Sequence, residues 1–163
     1  MSEAEAGTED VQCTEIVYRA LKRGWAPGES IPAEAFIRKV KRPDPDSEPR
    51  VEEAVSLSRQ KYATARECRC KLRKMRGAAS LHVGRVRGLP LHLDVHPDPD
   101  RNADGAVVGP EHCSLVNLPD PVNDTFSAEA AASQLIRVAR FVTPEQEEQE
   151  HQARRPDSGA ASD

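Results

Sequence analysis

Three side chains that could bind a metal ion or transfer protons recur at every second position of one segment. They are His92, Asp94 and His96, and apolar residues occupy the positions between them. A period of two is typical of a strand with one buried face, so we predict a strand over residues 89–96 with these side chains on its outer face. Two imidazoles and a carboxylate on one surface can bind a divalent cation or act as acid and base.

Further histidine and cysteine side chains could extend this site. His82 would face His92 across a hairpin, and His112 or Cys113 could add another ligand. The metal candidates are therefore His82, His92 and His96. Their spacing matches no compact zinc signature, and the outer face of an antiparallel sheet is ordinarily polar. We expect no metal and no other cofactor.

The cysteines are too few and too irregularly spaced for a secreted disulfide framework, and we expect them to stay reduced. Cys68 and Cys70 would point about 200° apart on a helix, so they could not easily share one metal. Basic neighbours favour the thiolate of Cys70, which makes it a candidate reactive thiol. His112 and Cys113 are adjacent, and adjacent strand residues face opposite sides, so we expect Cys113 to be structural.

A capping box gives the clearest local signal. Thr64 is followed three residues later by Glu67, and this pair predicts a helix over residues 65–76 that ends at Gly77. Its basic side chains form a candidate contact surface for RNA or DNA phosphates. The candidates are Arg66, Arg69, Arg73 and Arg76. Aromatic residues that could stack on bases make up only 4% of the chain, which weighs against this interpretation.

The remaining pattern alternates short strands with helices. We predict strands at residues 16–18, 54–58, 81–85 and 113–118, with a tight turn at Arg87 and Gly88, and an alanine-rich helix capped by Ser127. Three prolines in residues 43–49 predict an exposed loop. The fold class is α+β, with a small mixed or antiparallel sheet packed by two main helices.

Charge divides the chain into a body and two acidic tails. The net charge is -4, yet residues 11–143 carry 21 basic and 17 acidic side chains. We predict disordered tails over 1–12 and 143–163, which lack large apolar residues, and one domain over 13–142.

Several classes of protein lose support from what the sequence lacks. It contains no phosphate-binding loop, dinucleotide fingerprint, nucleophile elbow or zincin motif. No segment has the roughly 20 apolar residues that span a bilayer, and the first residues are unlike a signal peptide. We expect a cytoplasmic protein without a membrane partner.

Five short segments together resemble a group of small uncharacterised bacterial proteins with no assigned activity. They are residues 16–19 (IVYR), 31–36 (IPAEAF), 55–58 (VSLS), 84–89 (GRVRGL) and 112–119 (HCSLVNLP). The opening Tyr18-Arg19 pair is also similar to the start of RES-type and ADP-ribosyltransferase-like domains. That second resemblance implies chemistry on NAD.

Three functional hypotheses follow. We favour a non-catalytic accessory domain that binds another macromolecule, with a protein partner, alongside a larger bacterial effector. The second is a small metal- or NAD-dependent enzyme that uses His92, Asp94 and His96 as catalytic residues. The third is a nucleic-acid-binding module that uses the arginines of the basic helix.

Overall fold

A six-stranded antiparallel sheet organises the chain. The computed structural model describes residues 4–24 and 28–155. The sheet strands are β1 (Ile16–Lys22), β4 (Val55–Arg59), β5 (Met75–His82), β6 (Asp94–Pro97), β9 (His112–Val116) and β10 (Arg140–Phe141), in the spatial order β10-β5-β1-β4-β9-β6. Two small hairpins pair β2 (Val40–Lys41) with β3 (Arg50–Val51) and β7 (Asp100–Arg101) with β8 (Val107–Gly109). The helices are α1 (Ala65–Cys70), α2 (Val83–Arg87), α3 (Thr125–Val138) and α4 (Pro144–Arg154). The predicted α+β class and antiparallel sheet are confirmed.

The sheet has a core face and an outer face. Alternate strand residues such as Val17, Leu57, Leu81 and Leu115 pack on the core face against α2, α3 and a 3-10 turn at Ala33–Phe36. The outer face carries a smaller cluster of Tyr18, Ala65, Cys68 and Ala78 beneath α1. The apolar period of two thus places one side of each strand in the main core, as expected for a half-covered antiparallel sheet.

Helix α1 begins where the capping box predicts but is much shorter than the predicted helix. Thr64 accepts from the amide of Glu67, and the Glu67 side chain accepts from the Thr64 amide. The prediction of a helix over residues 65–76 is wrong beyond Cys70, because residues from Met75 onward pair with β1 along its whole length. Gly77 lies within β5 and ends no helix. Pairing with a buried strand outweighs the local helix preference of this basic segment.

The predicted hairpin and the long histidine strand are also wrong. Residues Val83–Arg87 form α2, whose Val83 and Val86 are both buried, so Arg87 and Gly88 end a helix instead of turning a hairpin. Of the strand predicted over residues 89–96, only residues 94–96 pair with a neighbour, as part of β6. His92 stands before β6 with a φ of 55°. Two buried valines three residues apart share one face of a helix, whereas they would lie on opposite faces of a strand. The alternation of Leu81 and Val83 suggested a strand, but that pattern is too short to distinguish the two structures.

Helix α3 follows the predicted alanine-rich pattern, with shifted ends. Ala131 and Leu135 are buried as expected. The N-cap is Asp124 and not Ser127, since an Asp124 carboxylate oxygen accepts from the Ser127 amide at 3.2 Å. The helix ends at Val138, and the chain then adds β10 to the edge of the sheet.

The terminal segments differ from the predicted disordered tails where the structure describes them. Val11 is only 2% exposed and belongs to the main core. In the predicted tail over 143–163, Pro144–Arg154 form α4, capped by Thr143 in a second capping box. Residues 1–3 and 156–163 lie outside the described part of the chain. The composition of α4 does not predict an ordered helix, and hydrogen bonds from the rest of the domain to Glu147 and Glu150 hold it in place.

Candidate functional site

The structure separates the predicted histidine cluster. His82 ends β5, and three strands, β1, β4 and β9, lie between it and β6. His92 is exposed in the loop before β6, where its carbonyl oxygen accepts from the Asn117 side chain. Neither joins His96. His112, proposed only as an additional ligand, does reach the same face as His96.

A polar grid forms where β4, β9 and β6 leave the outer face uncovered. One row runs from Ser58 through His112 to Asp98, because Ser58 pairs with His112 and the Asp98 amide donates to the His112 carbonyl oxygen. The register of β4, β9 and β6 places the second row at Ser56, Ser114 and His96. A cleft of about 540 Å³ opens over these rows, with Glu52 and Glu53 also among its lining residues.

Hydrogen bonds orient the first row. His112 Nδ1 lies 2.6 Å from the carbonyl oxygen of Asp98, which can only accept, so Nδ1 carries the proton and neutral His112 keeps a lone pair on Nε2. Ser114 Oγ donates to Asp98 Oδ2 at 2.8 Å. The Asp98 carboxylate therefore receives the serine hydroxyl, and the imidazole of His112 is left to accept from a ligand.

His96 of the second row pairs with a carboxylate from outside the grid. Asp94 Oδ2 lies 3.2 Å from His96 Nε2, and Arg87 Nε donates to Asp94 Oδ1 at 2.7 Å. Burial raises the pKa of Asp94, but the hydrogen bonds from Arg87 and from the Val95 amide outweigh it and hold that pKa below its usual value. With the proton on Nε2, neutral His96 presents Nδ1 as a second acceptor.

The candidate metal ligands and the candidate catalytic residues are not brought together in the part of the chain that the structure describes. No group of three or more His, Cys, Asp or Glu residues in the described ranges 4–24 and 28–155 is placed to hold a metal ion. Ser114 donates to Asp98 and not to His96, so no imidazole activates its hydroxyl in this arrangement. Of the predicted catalytic set, only Asp94 and His96 are adjacent.

The cysteines are free thiols in different environments. Cys68 is buried on the side of α1 that packs on the sheet, and burial raises its pKa. Cys113 lies on the core face, opposite to His112 as predicted, and burial raises its pKa to about 12. Cys70 is exposed at the end of α1. The two buried thiols are poor nucleophiles at neutral pH.

Three of the four arginines predicted to contact nucleic acid instead bind other groups of this chain. Arg69 pairs with Glu147 of α4, Arg66 lies 3.4 Å from Glu148, and Arg76 donates to the carbonyl oxygens of Gly28 and Ser30. Arg73 is exposed in the turn after α1. The four arginines therefore do not form one open basic helix face.

The sequence interpretation missed four of the six residues of the polar grid. Asp98 follows a proline in a stretch that looks like a loop, and Ser56, Ser58 and Ser114 alternate with core residues as ordinary outer-face positions. Alternation along β9 places His112 and Ser114 on the same face, so the sequence could have indicated that these two side chains lie close together. Their partners on β4 and β6 depend on strand register, which one sequence cannot fix.

Comparison with known proteins adds no relative. No family model, no curated protein and no solved structure matches the chain. The resemblances stated from short segments thus rest on those segments alone. In the described part of the chain, no helix has the length and apolarity needed to cross a membrane.

Proposed function

We propose that the protein is a non-catalytic binding domain whose polar cleft receives a cationic group, an ammonium or a guanidinium, from a partner protein. The observation that carries the proposal is the supply of acceptors in the cleft. In its neutral form each of His96 and His112 has one ring nitrogen that can accept a hydrogen bond, and Asp98 and Glu53 add carboxylates. The described lining residues include no lysine or arginine.

Charge-assisted hydrogen bonds make such a site selective for donors. Glu52 is already paired with Lys41 at 2.8 Å, which leaves Asp98 and Glu53 as the carboxylates facing a ligand. A carboxylate can bind the two parallel N–H groups of a guanidinium, and such bonds are roughly twice as strong as neutral ones. The volume of about 540 Å³ accommodates one or two long side chains.

The test uses a labelled peptide, Gly-Arg-Gly-Arg-Gly, and the same peptide with glutamine in place of arginine. Amide chemical shifts of the ¹⁵N-labelled protein are followed during titration. We expect the arginine peptide to shift Ser56, Ser114 and their neighbours, and Asp98→Asn with Glu53→Gln to weaken binding about tenfold or more. Glu129→Gln with Glu145→Gln, which neutralises two exposed carboxylates outside the cleft, is the matched control. Equal shifts with the glutamine peptide, or an unchanged affinity in the double variant, would contradict the proposal.

A small enzyme is the second candidate, and two observations favour it. His96 pairs across the strands with Ser114, beside the Asp94 carboxylate. A smaller cleft of about 160 Å³, lined by Arg19, Lys22 and Lys39, shares Ser56 with the polar cleft. Basic side chains beside a hydroxyl-rich surface are the groups that a dinucleotide such as NAD would need.

Two assays test the enzymatic candidate. A fluorophosphonate probe would label Ser114 if its hydroxyl can be activated, and Ser114→Ala would abolish that labelling. Incubation with NAD would release nicotinamide, measured by chromatography, and Lys39→Gln would slow that release. Absence of both labelling and NAD turnover would remove this candidate and leave the binding domain.

A further inference from the structure

Helix α4 lies on α1 through carboxylate contacts. Glu147 accepts from Arg69 Nε at 3.0 Å and also from Nη2 of the same guanidinium. Glu148 Oε2 lies 3.4 Å from Arg66 Nη1. Hydrogen bonding to Glu147 raises the pKa of Arg69. An acidic helix of the chain thus occupies two arginines of the basic segment.

A third carboxylate of α4 binds the body of the domain. Glu150 accepts from the Ala65 amide at 2.6 Å, from Gln60 Nε2 at 3.0 Å and from the Tyr18 hydroxyl. Burial and the hydrogen bond to Glu150 raise the pKa of Tyr18. Glu147 and Glu150 are three residues apart, so both carboxylates project from one side of the helix.

Little apolar surface holds α4 in place. Its sequence, PEQEEQEHQAR, contains only a proline and an alanine as apolar residues, and its buried residue is Glu147. The hydrophobic effect therefore contributes little, and partly exposed ion pairs contribute about 1 kcal/mol or less each. A helix held mainly by a few polar side-chain contacts, with little apolar packing, can leave its site at modest cost.

Arginine groups beneath α4 retain capacity to bind an anion. A cavity of about 260 Å³ between α1 and α4 is lined by three arginines and Phe141 on the side of the body and by two glutamates of α4. These are Arg66, Arg69, Arg76, Glu147 and Glu148. The buried Nε of Arg76 has no hydrogen-bond partner among the described residues. A buried donor without a partner is costly. Because this atom is shielded from solvent, a ligand carboxylate would satisfy it only after α4 or the Arg76 side chain has moved.

We propose that the surface beneath α4 is a docking site for an acidic helical segment of a partner protein, and that α4 is its internal competitor. The surface beneath α4 comprises Tyr18, Gln60, Arg66, Arg69 and Arg76. The ligand chemistry is displayed by α4 itself, whose carboxylates at a spacing of three residues fit Arg69 and the Tyr18–Gln60 pair. A partner helix with the same spacing displaces α4 and adds a carboxylate for Arg76.

The experiment uses the full chain and a fluorescent peptide with the sequence of residues 143–154. Glu147→Gln with Glu150→Gln loosens α4, and Glu129→Gln with Glu145→Gln is the control of equal charge change at exposed positions. A tethered segment competes at an effective concentration of about millimolar, so we expect the loosened variant to bind the peptide roughly tenfold or more tightly than the wild type and the control. A peptide with glutamine at the positions of Glu147 and Glu150 should bind weakly.

Two further readouts keep the proposal open to refutation. Hydrogen exchange of the wild type should show α4 amides losing protection in 0.5 M NaCl while β5 stays protected, because salt screens exposed ion pairs. Equal peptide affinity in all variants, or α4 protection that survives salt, would overturn the proposal. If a 12-nucleotide single-stranded RNA bound more tightly than the peptide, the ligand of the surface beneath α4 would be a nucleic acid and not an acidic helix, and the proposal would be wrong.

Discussion

Arg87 and Asp94 close the exposed edge of the sheet. Arg87 Nε donates to Asp94 Oδ1 at 2.7 Å, and its Nη2 donates to the carbonyl oxygen of Val95 at 3.3 Å. The Val95 amide donates to the same Asp94 oxygen at 2.7 Å. Both main-chain groups of Val95 are thereby occupied on β6, the last strand of the sheet. Side chains that occupy an edge strand prevent it from pairing with another chain.

Removal of this arginine should promote association through β6. In Arg87→Ala the Val95 carbonyl oxygen loses its donor and becomes available to a strand from a second molecule. We expect the mass measured by light scattering after size exclusion to rise with concentration further than that of the wild type. Arg85→Ala, an exposed arginine of the same helix, should behave as the wild type. Identical masses for both variants at every concentration would show that the pair does not protect the edge.

A buried guanidinium fixes the N-terminal segment. Arg59 is fully buried at the end of β4 on the core face, and it donates from Nε and Nη2 to the two carboxylate oxygens of Glu15, each at 2.9 Å. Its Nη1 also donates to the carbonyl oxygen of Glu9 at 3.0 Å. Because Arg59→Ala leaves Glu15 without its partner, we expect the free energy of unfolding to fall by about 3–5 kcal/mol.

Urea unfolding followed by circular dichroism measures that loss. Arg73→Ala, an exposed arginine after α1, should change the free energy of unfolding by no more than about 0.5 kcal/mol. If both variants lost a similar free energy of unfolding, the buried ion pair of Arg59 would contribute no more to stability than an exposed arginine does. Glu15→Gln should give an intermediate loss, since the amide keeps one acceptor for the guanidinium.

Acid should weaken the same segment through Glu9. Burial raises the pKa of Glu9, but hydrogen bonds from Lys61 and Tyr62 outweigh it and lower that pKa from 4.5 to about 2. Below pH 4.5 the unfolded chain takes up a proton that the folded chain does not, so the contribution of Glu9 is complete above that pH and is lost as pH falls toward 2. The urea midpoint of the wild type should therefore fall more steeply over this range than that of Glu9→Gln. Parallel curves would contradict the lowered pKa.

Leu72 distinguishes the predicted long helix from the observed short one. The helix over residues 65–76 would place Leu72 on an apolar stripe facing the core, whereas the structure leaves it 59% exposed. We expect Leu72→Ser to change the free energy of unfolding by less than about 0.5 kcal/mol. Leu81→Ala, at a fully buried position of β5, should cost about 2–5 kcal/mol. A large loss for Leu72→Ser would support the longer helix.

Local signals in the sequence located the start of α1 but not its end. The Thr64–Glu67 capping box marked the start of α1 because its hydrogen bonds lie within four residues. The end of α1 depends on β5 pairing with β1, more than fifty residues earlier in the chain, and no short-range pattern records that contact. The polar grid has the same origin, since His112 and Asp98 meet only through the register of β9 and β6.

The position of the α3 cap gives a direct test of sequence against structure. Asp124 accepts from the Ser127 amide at 3.2 Å, so Asp124→Ala should cost about 1 kcal/mol of unfolding free energy. Ser127 contributes its amide and no capping side chain, and Ser127→Ala should change stability by less than about 0.5 kcal/mol. Urea unfolding of the two variants side by side decides the matter. A greater loss for Ser127→Ala would restore the serine as the cap and shift the start of the helix toward the interior of α3.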